Sequence, residues 1–257
     1  MNHLPTFLHQ SKPLNTCMVL AKDPSTMIQL IRNAAYDGCD AYGFQMEVLS
    51  PEYQNEETVR NIFSYMQGRP IYATYYRNAS NEGKSDEELA TGYLRLCDMG
   101  ATLIDVLGDL YCPTKYEITT DPVAIEKQKA LIDEIHARGC EVLMSSHVLE
   151  FRSGEEVLAI AREHQARGAD ISKIVTFANT EEEELENLKT TALLRRELDI
   201  PFLFLSGGTH CKLHRTIGPM LGSCMWLTVQ QHDECSAKFQ PVCRAVRDIA
   251  SNLDYLY

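Results

Sequence analysis

Three residues whose types suit the chemistry of a carbonyl compound stand at the ends of apolar stretches in this chain. The first is Lys173, within Ala169-Asp170-Ile171-Ser172-Lys173-Ile174-Val175-Thr176-Phe177, a run bounded by Gly168 and by Asn179-Thr180. Period-2 alternation sets Ile171, Lys173 and Val175 on one face and Ser172, Ile174 and Thr176 on the other, so the lysine has apolar flanks whichever face is inward. Taking an ammonium out of water is costly, so a buried lysine finds a partner or has its pKa pulled towards neutrality. An uncharged lysine attacks a ketone to form an imine. The other reading is a lysine that snorkels from the strand end to solvent. His147 closes an earlier apolar run and is a residue type suited to removing an α-proton; its simpler role is a strand-end histidine bonded to backbone. Arg215 follows a later run and offers a two-pronged grip on a carboxylate.

These positions make sense only if the runs that carry them converge. The chain repeats one unit: glycine or proline, a short apolar strand, then an amphipathic helix. Strands are expected at Thr16 to Ala21, Ala41 to Val48, Ile71 to Tyr76, Thr102 to Leu107, Glu141 to Ser146, the lysine run, Phe202 to Leu205 and Cys224 to Val229. Gly38 is placed to end the first helix, and Ser85 with Glu88 forms a capping-box pattern at the start of another. Glu181-Glu182-Glu183-Glu184 is best explained as a solvated first helical turn favoured by the helix dipole. Such βα repetition predicts parallel strands and a (β/α)8 TIM barrel in one domain over residues 1–257. A doubly wound open sheet is the competing architecture, but no glycine-rich phosphate loop follows any strand. In a barrel the reactive groups sit at the C-terminal strand ends, which here carry Glu47, Arg77, Asp105, His147, Lys173, Ser206 and His210.

Composition narrows the partners. The net charge of −12 argues against nucleic acid and anionic membrane surfaces, while a small anion is still open to capture by a local arginine. Nine cysteines without a C-x-x-C pair suit a reduced, cytoplasmic protein. The start Met1-Asn2-His3-Leu4-Pro5 does not read as a signal peptide, and no run reaches the length of a membrane span. His210, Cys211, His214, His232 and Cys235 are the residues from which a zinc site would be built, but they lack the usual spacings, and no metal or organic cofactor is expected.

With these residues in view, the sequence resembles the type I 3-dehydroquinate dehydratases, the Schiff-base class. Gly168-Ala169-Asp170-Ile171-Ser172-Lys173-Ile174 matches the family's G-A-D-I-x-K-I strand, and Ser145-Ser146-His147 matches its serine-x-histidine strand end. Ser206-Gly207-Gly208, Arg215, Gly218 and Gly222-Ser223 follow the family order, and Ser236-Ala237-Lys238-Phe239-Gln240 stands where the family has S-A-x-x-Q. The resemblance runs from about Gly38 to Gln240. It implies that Lys173 forms the imine, that His147 serves as acid and base, and that Arg215, Ser236 and Gln240 hold a substrate carboxylate. It further implies that Arg77 contacts substrate hydroxyls or an acidic neighbour, and that Glu82, set one residue further along than usual, is the family's E-G glutamate. The implied partner is a small carboxylated keto substrate, and a homodimer is compatible with the family.

The chain departs from the family at two places. The second-strand E-x-R-x-D becomes Gly43, Gln45 and Glu47, and Val148-Leu149 replaces the usual aspartate and phenylalanine after the histidine. Both changes spare the imine machinery and fall on the wall expected to face substrate hydroxyls. A dehydroquinate dehydratase is therefore the leading expectation. A Schiff-base lyase or aldolase on another carboxylated keto compound is the alternative, followed by a non-catalytic ligand-binding relative.

Overall fold

The computed structural model describes residues 5–253; Met1 to Leu4, on which the expectation about the N-terminus rests, lie outside that range. Among the described residues eight strands alternate with eight α-helices: β1 (Leu14–Val19), α1 (Pro24–Asp37), β2 (Ala41–Gln45), α2 (Glu56–Ser64), β3 (Ile71–Thr74), α3 (Asp86–Met99), β4 (Leu103–Leu107), α4 (Pro122–Ala137), β5 (Glu141–His147), α5 (Gly154–Ala166), β6 (Ile171–Phe177), α6 (Glu181–Glu197), β7 (Phe202–Gly207), α7 (Lys212–Ile217), β8 (Met225–Val229) and α8 (Cys243–Ala250). All ladders are parallel, in the order β7-β6-β5-β4-β3-β2-β1-β8. The seam between β7 and β8 is bridged where Cys224 N–H donates to Phe202 O at 2.8 Å and Phe204 N–H donates to Ser223 Oγ at 3.2 Å. This is the expected (β/α)8 barrel.

Local chemistry sets the element ends. Asp23 caps α1, whose first residue is Pro24, and Gly38 ends it in the left-handed conformation that a side chain would disfavour. The Ser85–Glu88 capping box forms as expected, and a second one, Ser153–Glu156, starts α5. Thr180 caps α6, whose first turn is the four-glutamate run. β2 and β3 are shorter than their apolar runs: the chain leaves β2 at Gln45 for a short 3-10 turn over Met46–Val48, and β3 stops at Thr74.

Two apolar layers lie on either side of the strands. Leu14, Met18, Ala41, Tyr72, Leu103, Leu143, Ile171, Val175, Leu203, Leu205, Met225 and Leu227 fill the barrel interior. Outside, Ile174, Phe202 and Phe204 meet Val157, Leu158 and Ala161 of α5 and Leu194 of α6. Ile171 and Val175 are thus inward, and so is Lys173 between them. The lysine lies beside Ser145 of β5 and Leu203 of β7 in the ladder, one step above the layer of Ile171 and Leu143.

Candidate active site

The mouth of the barrel holds a cavity of about 410 Å³ bordered by Gln45, Tyr72, Tyr76, His147, Lys173, Arg215 and Gln240 among its polar residues. Its remaining wall is largely apolar, with Met18, Leu20, Val175, Leu205 and Leu227 prominent. A second compartment adjoins it across Gln45, Tyr76, His147 and Leu149 and extends to Arg77 and Glu117.

Lys173 is 4% exposed and does not snorkel to solvent. Its Nζ donates to Tyr76 OH at 2.5 Å, to Tyr72 OH at 3.0 Å and to Asp105 Oδ2 at 3.0 Å. Of the two outcomes open to a buried lysine, this one has found a partner. Asp105 is fully buried, and burial alone would raise its pKa. The charges of Lys173 and His147, with hydroxyl bonds from Ser145 and Tyr72, outweigh burial and hold it below the usual carboxylate range. Ser145 Oγ fills the other oxygen of that carboxylate at 2.5 Å.

His147 ends β5 with its ring edge-on to Tyr76, the centroids 5.2 Å apart. Its Nδ1 lies 2.6 Å from Glu117 Oε2, and the same oxygen accepts the His147 backbone N–H at 3.0 Å. Glu117 comes from the long connection between β4 and α4. It adopts a φ of 48°, which a non-glycine residue takes at a cost, and its carbonyl accepts Ser146 Oγ at 2.7 Å. Arg167, buried behind this loop, donates to Gly108 O at 2.8 Å and Thr119 O at 2.6 Å and so fixes the segment on which Glu117 sits. With Nδ1 tied to a carboxylate, Nε2 is the ring nitrogen free for proton transfer.

Arg215, on α7, is buried with Nε donating to Ser206 O, and its guanidinium lies 4.3 Å over the Phe239 ring. Burial pulls its pKa down to about 10, and among the described residues no carboxylate forms a salt bridge with it. Gln240 lines the same cavity with its side-chain Oε1 buried and lacking a partner. A buried guanidinium with no anion, beside an unsatisfied amide, is suited to receive a carboxylate.

The other expected positions divide. Gln45 borders both compartments. Arg77 reaches the rim of the second compartment but is engaged by acidic neighbours, with Nε 2.8 Å from Asp86 Oδ1 and Nη1 2.6 Å from Asp109 Oδ1. Three expected contacts are not brought to the cavity. Glu47 turns away within the 3-10 turn, buried, accepting Thr74 Oγ1 at 2.9 Å; burial pushes its pKa up to about 7. Ser236 is tied into its own loop, accepting Asp233 N–H at 2.7 Å. Glu82 is exposed after a short 3-10 turn, and Glu117 takes the place beside the histidine. Ser206 and His214 bond to each other at 2.9 Å in the barrel wall, and His210 is exposed. Among the described residues no cluster of histidine, cysteine and carboxylate has the form of a metal site.

The departure at Gly43 has a physical counterpart. A Cβ on Gly43 would lie 2.1 Å from Met18 Sδ and 2.7 Å from Met18 Cε, so the methionine thioether occupies the space that a side chain at 43 would need. The wall beside Gln45 is apolar for that reason.

Comparison with known proteins speaks to the family and the fold. The 3-dehydroquinate dehydratase of Geobacillus thermodenitrificans is 29% identical over 186 residues, spanning 72% of this chain and 62% of that protein, less than two thirds of its length. The 3-dehydroquinate dehydratase of Shouchella clausii is 23% identical over 253 residues, 95% of this chain and 92% of that one. Among solved structures, the dehydratase of Geobacillus kaustophilus superposes with a TM-score of 0.77 at 20% identity, covering 95% of this chain and 91% of that one. The type I enzyme of Clostridium difficile, with covalently modified comenic acid, gives 0.78 at 18% identity over 95% and 93% of the two chains. At such identities these superpositions speak for the barrel. The family model for type I 3-dehydroquinase matches residues 16–255, and the chain belongs to that family.

Proposed function

We propose that this protein is a Schiff-base 3-dehydroquinate dehydratase, a lyase that converts dehydroquinate to dehydroshikimate by syn elimination of water. The observation that carries the reading is the meeting, in one cavity, of a buried lysine amine, a carboxylate-held histidine and a buried guanidinium that, among the described residues, has no carboxylate partner. Arg215 and Gln240 seat the substrate carboxylate. Lys173 condenses with the ketone, and the iminium draws electrons from the adjacent carbon. His147, oriented by Glu117, takes the α-proton and returns it to the departing β-hydroxyl. Hydrolysis of the imine then releases the enone. Gln45 is the polar group on the hydroxyl-facing wall.

The partner on this reading is a small carboxylated ketone, with no role for nucleic acid or a membrane surface, and the setting is cytoplasmic. Among the described residues no helix is long and apolar enough to cross a membrane. Borohydride reduction in the presence of dehydroquinate tests the reading. A mass increase located on Lys173, with enone absorbance appearing in the unreduced reaction, supports it; no adduct on Lys173 overturns it.

A second reading has its own observation. Met18 fills the space over Gly43, which leaves Gln45 as the polar contact on that side for a diol. A site missing hydroxyl partners discriminates poorly between hydroxylated and deoxygenated substrates. A Schiff-base lyase on another carboxylated ketone fits that wall, and adduct formation without turnover of dehydroquinate would select it.

A further inference from the structure

The pocket contains two separate hydrogen-bonded circuits. One is His147 with Glu117; the other joins Lys173, Tyr76, Tyr72 and Asp105. Imine formation also needs proton transfers at the amine itself, and the hydrogen bonds that reach Lys173 belong to the second circuit. Lys173 lies against Asp105 as an ion pair, yet it must attack as a free amine, and the resulting carbinolamine must then be protonated on oxygen to expel water. Tyr76 is placed for both tasks. Its hydroxyl is 2.5 Å from Lys173 Nζ and 2.5 Å from Asp105 Oδ2, and its ring borders the cavity beside His147. Tyr72 also bridges the amine and Asp105 and also borders the cavity, but its contact with the amine is longer, at 3.0 Å, and its side chain is fully buried.

We propose that Tyr76 is a catalytic proton carrier for the formation and hydrolysis of the imine, a role that rests on the Schiff-base reading above. Its phenol gives its proton to Asp105 while accepting one from the Lys173 ammonium, which leaves a neutral amine, a neutral acid and an unchanged phenol. The amine nitrogen forms a bond to the ketone carbon, and the carbonyl π pair becomes the oxygen of a carbinolamine after one proton moves from nitrogen to oxygen. Tyr76 then returns the stored proton from Asp105 to the carbinolamine hydroxyl. The C–O bond breaks, water leaves, and the nitrogen lone pair closes the C=N⁺ bond. The sum is ketone plus ammonium to iminium plus water, with Asp105 again ionised. Hydrolysis runs the same path backwards. Transfer to Asp105 leaves two uncharged groups in place of a buried ion pair, so burial does not oppose it.

The test is Tyr76→Phe, which keeps the ring and removes the hydroxyl, with Tyr72→Phe alongside. Enzyme and dehydroquinate are mixed rapidly and quenched with borohydride at a series of times, and the Lys173 adduct and enone are both quantified. Tyr76→Phe is expected to slow adduct formation by ~100-fold, and release of enone from the adduct, which passes through imine hydrolysis, is expected to slow with it. Tyr72→Phe is expected to slow adduct formation less. Adduct formation at the unmodified rate in Tyr76→Phe overturns the inference and leaves the Schiff-base reading standing. Absence of adduct in the unmodified protein removes that reading, and this inference with it. Should Tyr76→Phe fold poorly, the unmodified protein serves: adduct formation is expected to show a solvent deuterium isotope effect well above one, and a value of one overturns the proposal.

Discussion

Replacing Glu117 with glutamine removes the charge from the group that orients His147 and leaves its size unchanged. The Nδ1 to Oε2 contact of 2.6 Å is charge-assisted, and such bonds contribute ~1.5–3 kcal/mol. The two side chains are 21% and 28% exposed, so water screens the pair and the lower part of that range applies, about 2 kcal/mol. That loss corresponds to a fall in kcat of ~10–30-fold. The glutamine has a second effect in the same direction: its amide can donate to Nδ1, which favours the tautomer that carries the proton on Nε2 and blocks that atom as a base. The affected step follows imine formation, so the Lys173 adduct should accumulate under borohydride quench while KM changes little. Enone absorbance gives kcat, and mass spectrometry of quenched samples gives the adduct. Glu117→Gly provides a control on structure. It loses the carboxylate but relieves the left-handed backbone at φ 48°, so its Tm should stay within a few degrees of the parent while activity falls. A glutamine variant that turns over within about twofold of the parent and shows no excess adduct would refute this assignment.

Arg215→Ala should raise KM by ~10–100-fold, because the substrate carboxylate loses a charge-assisted partner in a buried site; an unchanged KM removes Arg215 from substrate binding. Lys173→Ala should give no adduct and also lose stability, since Asp105 is left buried without its cation; adding Asp105→Asn to Lys173→Ala should recover part of the lost Tm, and no recovery contradicts the pairing. Glu47 is raised by burial to about 7 from 4.5, so its contribution is complete below pH 4.5 and is lost as pH rises through 7. Glu47→Gln should therefore gain about 3 kcal/mol on the parent between pH 4 and pH 8, and a pH-independent difference would show that Glu47 does not titrate there. His164 and His214 are lowered by burial to about 3 from 6.5, so their contribution is complete above pH 6.5 and is lost as pH falls towards 3. In the Glu47→Gln background, Tm should fall as pH drops from 6.5 to 4, and a flat profile would contradict the neutral buried state of both histidines.

The barrel was readable because its signal is local. Each strand carries its own apolar run, and glycines such as Gly38, Gly100, Gly139 and Gly168 mark the turn before the next strand. Lys173, His147 and Arg215 were legible as candidates from residue type and from their place on or after apolar runs, and the topology brings them to one cavity, with His147 at the end of β5, Lys173 third along β6 and Arg215 on α7. Asp105 was legible as a strand-end group, but its pairing with the lysine was not. Glu117 left no such trace: it lies in an irregular connection, and its place beside His147 depends on backbone torsion and on Arg167 and Ser146 holding the loop. The tyrosines were missed for a related reason. Tyr72 lies inside the β3 ladder and Tyr76 beyond it, yet the chain bends so that both hydroxyls return to one amine. Glu47 and Ser236 were placed in the cavity by alignment to a pattern, and a tight turn in each case spends the side chain on neighbouring backbone or on Thr74.

The contact between Met18 and Gly43 ties the fates of two strands together. The first carbon of a new side chain at position 43 would overlap the thioether, so the sulfur and terminal methyl, which end a flexible side chain, have to swing aside before a carboxylate is seated there. Met18 also lines the cavity, so that movement reshapes the mouth of the barrel as the wall becomes more polar. Exchanging residue 43 by itself therefore changes crowding and polarity together, and pairing it with a shortened residue 18 separates the two.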